Sequence, residues 1–171
     1  MVEELKKAIF LDRDGVINDN SIAYYVHRIQ DFQLNKGVLD TLKCFLEKGY
    51  ILIVITNQGG IAKKQYKETN VDELHRYFIN ILKEKGILIT EIYYCPHHPE
   101  ISRCLCRKPG TLLFEKAIAN FKIDPKKSFM IGDSDHDIIA AEKLNIKGIK
   151  VKSNANLFEE IKKTAFSYLL E

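Results

Sequence analysis

The stretch AIFLDRDGVIN at residues 8–18 decides the fold and holds the first candidate reaction centre. Four apolar residues at 8–11 are typical of a buried strand, and the polar segment behind them marks its end. Asp12 and Asp14 are therefore crowded together, and their repulsion and lost hydration should raise one pKa unless a cation neutralises them. Magnesium suits the pair because it prefers oxygen ligands and is usually bound together with substrate phosphates. A surface turn also carries Asp and Gly, so the spacing alone is a weak signal.

The composition is that of an ordinary soluble globular protein. Of 171 residues, 46% are hydrophobic and 29% are charged, and the net charge is +3. This length predicts a single domain over residues 1–171, and the small charge gives no reason to expect a nucleic-acid partner. Residues 1–7 lack the apolar region of a signal peptide, and no later run is long enough to span a membrane. We therefore expect a cytoplasmic protein that has no membrane partner. A monomer is the expected state.

Short apolar runs alternate with longer amphipathic segments. The run ILIVI at residues 51–55 is typical of a central parallel strand covered on both faces. Other strands are predicted at residues 7–11, 91–94, 128–131 and 149–151. Helices are predicted at residues 38–48, 71–85, 112–121, 138–144 and 157–169. The alternation predicts an α/β fold of three layers, a Rossmann-like parallel sheet with helices on both faces.

Three polar clusters follow predicted strands. They are Asp12-Arg13-Asp14, the segment TNQGG at residues 56–60 and the segment GDSDHD at residues 132–137. Each cluster alone could be turn or helix-cap chemistry. Ligands of parallel sheets bind beyond the carboxyl ends of the strands, so the three clusters together predict one site.

A second motif combines Cys95-x-His97 with Cys104-x-Cys106. Three thiolates and one imidazole predict a closed, tetrahedral, structural zinc site. In a reducing compartment such a cluster indicates metal binding better than disulfides. Any one of these cysteines alone would be read as a free thiol, but four ligands within twelve residues form a strong signal.

Taken together, these motifs resemble the haloacid dehalogenase superfamily of phosphatases. Its four motifs are matched by Asp12-x-Asp14, Thr56, Lys108 and Gly132-Asp133-x-x-x-Asp137. Within the superfamily, residues 10–18, 56–58, 93–99 and 104–109 resemble the group of heptose bisphosphate phosphatases and histidinol phosphatases. Residues 18–38 leave room only for a loop, so the resemblance implies a member without a large cap domain and with a loop stapled by zinc.

The resemblance implies a role for each motif residue. Asp12 is expected to be the nucleophile that forms an aspartyl-phosphate, and Asp14 the acid and base. Mg²⁺ would be bound by Asp12, Asp133 and the backbone carbonyl of Asp14, with Asp137 in support. The expected substrate and phosphate contacts are Thr56, Asn57, Gln58, Arg107, Lys108 and Tyr25.

Other histidines and cysteines receive ordinary structural interpretations. The family pattern places His97, and not His98, on the zinc ion. His75 is interpreted as a helix-surface residue, and His136 as a loop residue. Cys44 lies between helical positions and is expected in the core.

Three functions from different classes remain open. The favoured function is a Mg²⁺-dependent phosphatase for a small sugar phosphate, most specifically the C7 phosphate of D-glycero-D-manno-heptose 1,7-bisphosphate, with histidinol phosphate as the alternative substrate. A zinc-dependent binding module without catalysis is the second, and the low charge argues against its binding nucleic acid. The third is phosphate transfer to a sugar hydroxyl, although an open site admits water and favours hydrolysis. Gly59 and Ser134 depart from the serine and lysine that the heptose enzymes commonly carry.

Overall fold

A five-stranded parallel sheet forms the centre of the computed structural model, which describes residues 4–171. The strands are β1 (Ala8–Leu11), β2 (Ile51–Asn57), β3 (Glu91–Cys95), β4 (Phe129–Gly132) and β5 (Lys147–Lys150). Their order in the sheet is β3-β2-β1-β4-β5. At the centre, Leu11 of β1 is paired with Val54 of β2 and Ile131 of β4.

Within the described residues 4–171, five α-helices cover the two faces of the sheet. They are α1 (Val38–Glu47), α2 (Glu68–Glu84), α3 (Leu112–Phe121), α4 (Asp135–Glu142) and α5 (Leu157–Lys162). Successive side chains of a strand point to opposite faces, so β1 contributes to two separate cores. Ile9 and Leu11 pack with α1, α2 and α5, whereas Ala8 and Phe10 pack with α3 and α4. The predicted three-layer α/β fold is confirmed.

Helix α4 begins at Asp135, three residues before the predicted start at residue 138. Ser134 and Asp137 form its cap, because Oδ2 of Asp137 accepts hydrogen bonds from N of Ser134 at 3.1 Å and from Oγ at 2.7 Å. The polar residues that the sequence analysis assigned to a loop are thus the first turn of a helix.

The helix predicted at residues 157–169 is shorter than expected. It ends at Lys162, and Ser167–Leu169 form a separate 3-10 turn. The hydroxyl of Thr164 donates to the carbonyl oxygen of Ile161 at 2.7 Å. A side chain that satisfies a carbonyl in this way replaces the backbone hydrogen bond that would continue the helix.

The segment at residues 18–38 carries little regular structure. It contains a 3-10 turn at Ile29–Asp31 and an antiparallel bridge between Asn18 and Leu34. No cap domain is therefore inserted at residues 18–38. Among residues 4–171, no helix combines the length and the apolar character that crossing a membrane requires.

Candidate active site and metal centres

The predicted site residues meet in a cleft of about 260 Å³ at the carboxyl ends of β1, β2 and β4. Parallel strands bring these ends to one edge of the sheet, and so segments that are distant in sequence become neighbours. The cleft is lined by Asp12, Asp14, Tyr25, Thr56, Asn57, Arg107, Lys108, Asp133 and Asp137, among others. Gln58 is the one predicted substrate contact that is missing from this lining.

Lys108 is buried between two carboxylates. Its Nζ lies 2.8 Å from Oδ1 of Asp12 and 2.5 Å from Oδ1 of Asp137. Burial alone would lower the pKa of Lys108, but the two carboxylates outweigh burial and hold that pKa above its ordinary value. Burial raises the pKa of Asp12 to about 7, against the opposing effect of Lys108. A cation bound beside Asp12 favours its ionised form, which is the form able to attack phosphorus.

The carboxylates of Asp12, Asp133 and Asp137 form a cluster whose oxygens lie within 4.8 Å of one another. This all-oxygen, anionic set opens into the cleft and fits a hard cation that keeps some water ligands, as Mg²⁺ does. Asp133 lies against Gly15, where an added Cβ would come within 2.3 Å of its Oδ2. Burial raises the pKa of Asp133, and a hydrogen bond from Ser153 opposes that rise. The carboxylate of Asp14 is not in the cluster, and a role for its backbone carbonyl stays a prediction.

Asp14 is held by donors on several sides. Arg13 is buried, and its Nη2 lies 3.0 Å from Oδ1 of Asp14 and 2.9 Å from Oδ2. Nδ2 of Asn18 donates to Oδ1 at 3.1 Å, and Nε2 of Gln58 donates to Oδ2 at 2.9 Å. The orientation of the carboxylate is therefore fixed from within the protein, while its side chain keeps 18% exposure toward the cleft.

The position of Gln58 corrects the expectation that it contacts the phosphate. Its side chain is buried, and its amide nitrogen donates to Asp14 and, at 2.9 Å, to Oγ1 of Thr56. An amide nitrogen carries two hydrogens, so both are used within the protein. Since Oγ1 of Thr56 accepts from Gln58, the hydroxyl hydrogen of Thr56 is left to donate into the cleft.

The side chain of Asn57 forms two hydrogen bonds with the backbone of Lys108. Its Oδ1 accepts from N of Lys108 at 3.1 Å, and its Nδ2 donates to O of Lys108 at 3.2 Å. The carbonyl oxygen of Ile55 accepts from Nζ of the same lysine at 2.6 Å. β2 thus fixes both ends of Lys108, a residue that enters from a loop, and the side chain of Asn57 is occupied in doing so.

The cysteine and histidine side chains of the zinc motif converge as predicted. Ligand atoms of Cys95, His97, Cys104 and Cys106 all lie within 4.8 Å of one another. Sγ of Cys95 lies 3.7 Å from Sγ of Cys104 and 3.1 Å from that of Cys106, and Nδ1 of His97 lies 3.2 Å from Sγ of Cys106. A tetrahedral site with metal–sulfur bonds of about 2.3 Å has edges of roughly 3.7 Å, so this donor set fits zinc.

The same loop places Arg107 at the mouth of the cleft. Nη1 of Arg107 donates to the carbonyl oxygen of His97 at 3.1 Å, so a residue of the cysteine and histidine cluster positions this guanidinium. Tyr25 lines the cleft as well, and its ring lies edge-on to that of the exposed Tyr24 at 4.8 Å. These residues lie beyond the buried carboxylates and can contact the part of a ligand that does not react.

The interpretation of His75 as a helix-surface residue is wrong. Its side chain is buried, with 6% exposure. Its Nε2 lies 3.0 Å from Nη1 of Arg13. A guanidinium can only donate, so His75 accepts this hydrogen bond in its neutral form. Burial, and then the charge of Arg13, lower the pKa of His75 to about 3. Helical periodicity carried the signal, because position 75 lies between Val71 and Phe78 on the apolar stripe.

Two further residues depart from the interpretations given to them, and two others were missed. His136 lies in the first turn of α4 and lines the cleft, rather than lying in a loop. Cys44 is partly exposed. Ser153, behind Asp133, carries no motif that could have pointed to it. Tyr66, which donates to Oε1 of Gln58 at 2.8 Å, was also missed.

Comparisons with known proteins agree with this geometry. The HAD-hydrolase-like family matches residues 105–168. The chain is 44% identical over 149 residues to the D-glycero-beta-D-manno-heptose-1,7-bisphosphate 7-phosphatase of Haemophilus ducreyi, covering 83% of this chain and 80% of that protein. It is 42% identical over 146 residues to the D-glycero-alpha-D-manno-heptose-1,7-bisphosphate 7-phosphatase of Photorhabdus laumondii, covering 82% of this chain and 79% of that protein. A crystal structure of D,D-heptose 1,7-bisphosphate phosphatase from B. bronchiseptica, complexed with magnesium and phosphate, matches with a TM-score of 0.80 at 25% identity, covering 93% of this chain and 87% of that one.

Proposed function

Because the chain belongs to the heptose-1,7-bisphosphate 7-phosphatases, which are haloacid dehalogenase-like hydrolases, we propose that it hydrolyses the C7 phosphate of a heptose 1,7-bisphosphate in a Mg²⁺-dependent reaction. One observation carries the proposal. The carboxylate of Asp12 lies in the cleft, 2.8 Å from the buried ammonium of Lys108 and beside the carboxylates of Asp133 and Asp137. This combines a nucleophile, a fixed positive charge and an anionic donor set for a cation.

Asp12 and Asp14 divide the first half of the reaction. A carboxylate oxygen of Asp12 forms a bond to phosphorus as the bond between phosphorus and the C7 oxygen breaks. Asp14, in its protonated form, gives its proton to that departing oxygen, and heptose 1-phosphate leaves. The products of this half are an aspartyl-phosphate on Asp12 and an ionised Asp14.

The second half reverses the role of Asp14. Its carboxylate removes a proton from a water molecule, whose oxygen bonds to phosphorus while the bond from phosphorus to Asp12 breaks. Inorganic phosphate leaves, Asp12 is free again and Asp14 is again protonated. The cleft is open, which gives water the access that this half requires.

Charge neutralisation is the other task of the site, because phosphoryl transfer depends on positioning and electrostatics. Mg²⁺, when bound by Asp12, Asp133 and the backbone carbonyl of Asp14, with Asp137 in support, would neutralise charge on the phosphoryl oxygens. Lys108 supplies a fixed ammonium, and Thr56 a hydroxyl hydrogen, to the same oxygens. Zinc bound by the cysteines and His97 would have a structural role, since its four ligands leave no open position.

The remainder of the substrate is expected to lie toward Arg107 and Tyr25. Arg107 presents a guanidinium suited to a second phosphate, and Tyr25 a flat apolar face suited to a sugar. The C7 carbon is primary and unhindered, so it can reach Asp12 while the anomeric phosphate stays at the mouth of the cleft. A cytoplasmic location, a monomeric state and a single domain over residues 1–171 are parts of the same proposal.

The test is steady-state kinetics with both anomers of heptose 1,7-bisphosphate and with histidinol phosphate, at saturating Mg²⁺. The two relatives carry different anomers in their names, so each anomer is assayed separately. We expect kcat/KM for one bisphosphate anomer to exceed that for histidinol phosphate, and phosphorus NMR to show loss of the C7 phosphate alone. Arg107→Ala should lower the ratio of kcat/KM for the bisphosphate to kcat/KM for histidinol phosphate. An equal or reversed preference would overturn the heptose substrate but leave the phosphatase chemistry standing.

A further inference from the structure

Gln58 can in principle place either end of its amide against Asp14. The two ends have nearly the same shape, but the nitrogen end donates two hydrogen bonds and the oxygen end only accepts. In the structure the nitrogen end faces Oδ2 of Asp14 and Oγ1 of Thr56, at 2.9 Å each. The reverse orientation would set an amide oxygen against the carboxylate, which is repulsive. The orientation of this amide therefore decides whether Asp14 is held.

Tyr66 contacts the other end of the same amide. Its hydroxyl donates to Oε1 of Gln58 at 2.8 Å, and both residues are buried. A phenol hydroxyl has one hydrogen to donate, and here it is donated to the oxygen end of Gln58. The nitrogen end of the amide is therefore left to face Asp14. Burial raises the pKa of Tyr66 well above its ordinary range, so the hydroxyl keeps this hydrogen.

The ring of Tyr66 is held in place on several sides. A Cβ added at Gly60 would lie 2.2 Å from its Cε1, so only glycine leaves room for the ring there. The imidazole of His27 stacks on it at 4.7 Å with an interplanar angle of 9°, and Tyr25 meets it edge-on at 5.7 Å. The hydroxyl thus has a fixed position, although Tyr66 itself does not line the cleft.

We propose that Tyr66 is a positioning residue for the reaction: by donating to Gln58 it fixes the amide that holds the acid and base Asp14. Tyr66 lies outside the lining of the cleft, and it acts through one intervening side chain, that of Gln58. The proposal rests on the phosphatase function proposed above. It follows that loss of this hydroxyl impairs proton delivery to the leaving oxygen and spares the attack by Asp12.

The test is Tyr66→Phe, assayed on aryl phosphates with graded leaving groups and on heptose 1,7-bisphosphate. The parameter kcat/KM reports the first half of the reaction, in which Asp14 protonates the leaving oxygen. 4-Nitrophenolate leaves without a proton, whereas a sugar alkoxide needs one. We expect Tyr66→Phe to lower kcat/KM about 10- to 100-fold for heptose 1,7-bisphosphate, whose leaving group is an alkoxide, and less than about threefold for 4-nitrophenyl phosphate. The values of kcat/KM should therefore depend more steeply on the pKa of the leaving group in the variant than in the parent.

Tyr50→Phe is the matched control, because Tyr50 packs against Phe45 and Phe129 in the core and does not line the cleft. Thermal unfolding of each variant checks the fold. If Tyr66→Phe does not fold, Gln58→Met removes the same hydrogen bond to Asp14 and should show the same selective loss. An equal loss on all substrates, or no loss, overturns the positioning role. A parental chain without phosphatase activity on any of these esters overturns the proposed function as well.

Discussion

Nζ of Lys108 lies 2.8 Å from Oδ1 of Asp12, although the two residues are 96 positions apart in the chain. Lys108 enters from the loop after β3, and Asp12 from the end of β1. Their ion pair is buried, so it depends on the sheet and the loop being correctly assembled at once. Chemistry at Asp12 is for this reason a sensitive measure of the integrity of the whole site.

Replacement of the nucleophile is the most direct test of the reaction. Asp12→Asn keeps the shape of the side chain but offers a poor nucleophile, so we expect phosphate release below about one thousandth of the parental rate. Thermal unfolding and zinc content should stay near the parental values. Parental activity in a folded Asp12→Asn protein would exclude the aspartyl-phosphate mechanism.

Zinc content tests the cysteine and histidine cluster. We expect about one zinc per chain that survives dialysis, because a closed four-ligand site holds its metal, whereas Mg²⁺ should be lost. Cys104→Ser and Cys106→Ser should each lower zinc occupancy, measured by elemental analysis. Cys44→Ser is the control, because Cys44 lies in α1 outside the cluster. Full occupancy in both loop variants would remove these cysteines from the coordination shell.

Protonation of His75 should cost stability in acid. The unfolded chain protonates this side chain near pH 6.5, while the folded protein resists protonation down to about pH 3. The unfolded state therefore binds more protons between these values, and stability is lost as the pH falls through this window, by on the order of 5 kcal/mol at most. His75→Gln retains an acceptor for Arg13 and does not titrate, so its stability should fall less steeply with pH.

The measurement is urea unfolding of the parent and His75→Gln at several pH values between 4 and 7. Other titrating groups are common to the two proteins, so the difference between their curves reports His75 alone. His136→Gln, at an exposed position of α4, is the control for replacing a histidine. Parallel curves for the parent and His75→Gln would show that position 75 does not resist protonation.

Gly15→Ala should weaken Mg²⁺ binding. The added methyl would lie 2.3 Å from Oδ2 of Asp133 and 2.5 Å from Oγ of Ser153, so the carboxylate must move. We expect the Mg²⁺ concentration for half-maximal activity to rise about 10- to 100-fold, as for losses around a metal ligand. Gly86→Ala is a matched control, because φ is +77° there against +85° at Gly15 and no atom lies within 4 Å of the new methyl. Equal Mg²⁺ requirements in the two variants would show that Asp133 is not a ligand.

The sequence was sufficient to predict the sheet and the elements that carry the site. Runs such as residues 51–55 are apolar on both faces, and a polar cluster directly behind such a run must lie at the carboxyl edge of the sheet. The cysteine and histidine spacing was sufficient in the same way, because a metal site can form from one short loop. In both cases the structure depends on residues that are close in the sequence, so a short segment is enough to predict it.

The supports of Asp14 could not be predicted because they depend on long-range packing. Gln58 follows a strand end and was expected to contact the phosphate, but whether its amide faces the cleft or the interior depends on the segment that carries Tyr66. His75 was assigned by its polarity, whereas its partner Arg13 is 62 positions away. A buried polar residue is stable only beside its partner, and that partner is not visible in the surrounding sequence.

The pair of hydrogen bonds between the side chain of Asn57 and the backbone of Lys108 has an evolutionary consequence. These hydrogen bonds anchor Lys108 to β2. The preceding loop, from Cys95 to Arg107, is held separately by the cysteine and histidine cluster. Mutations that reshape this loop can therefore move Arg107 without displacing the lysine beside it. Descendants of one ancestral enzyme could diverge in the compounds they accept while inheriting the same bond-breaking apparatus.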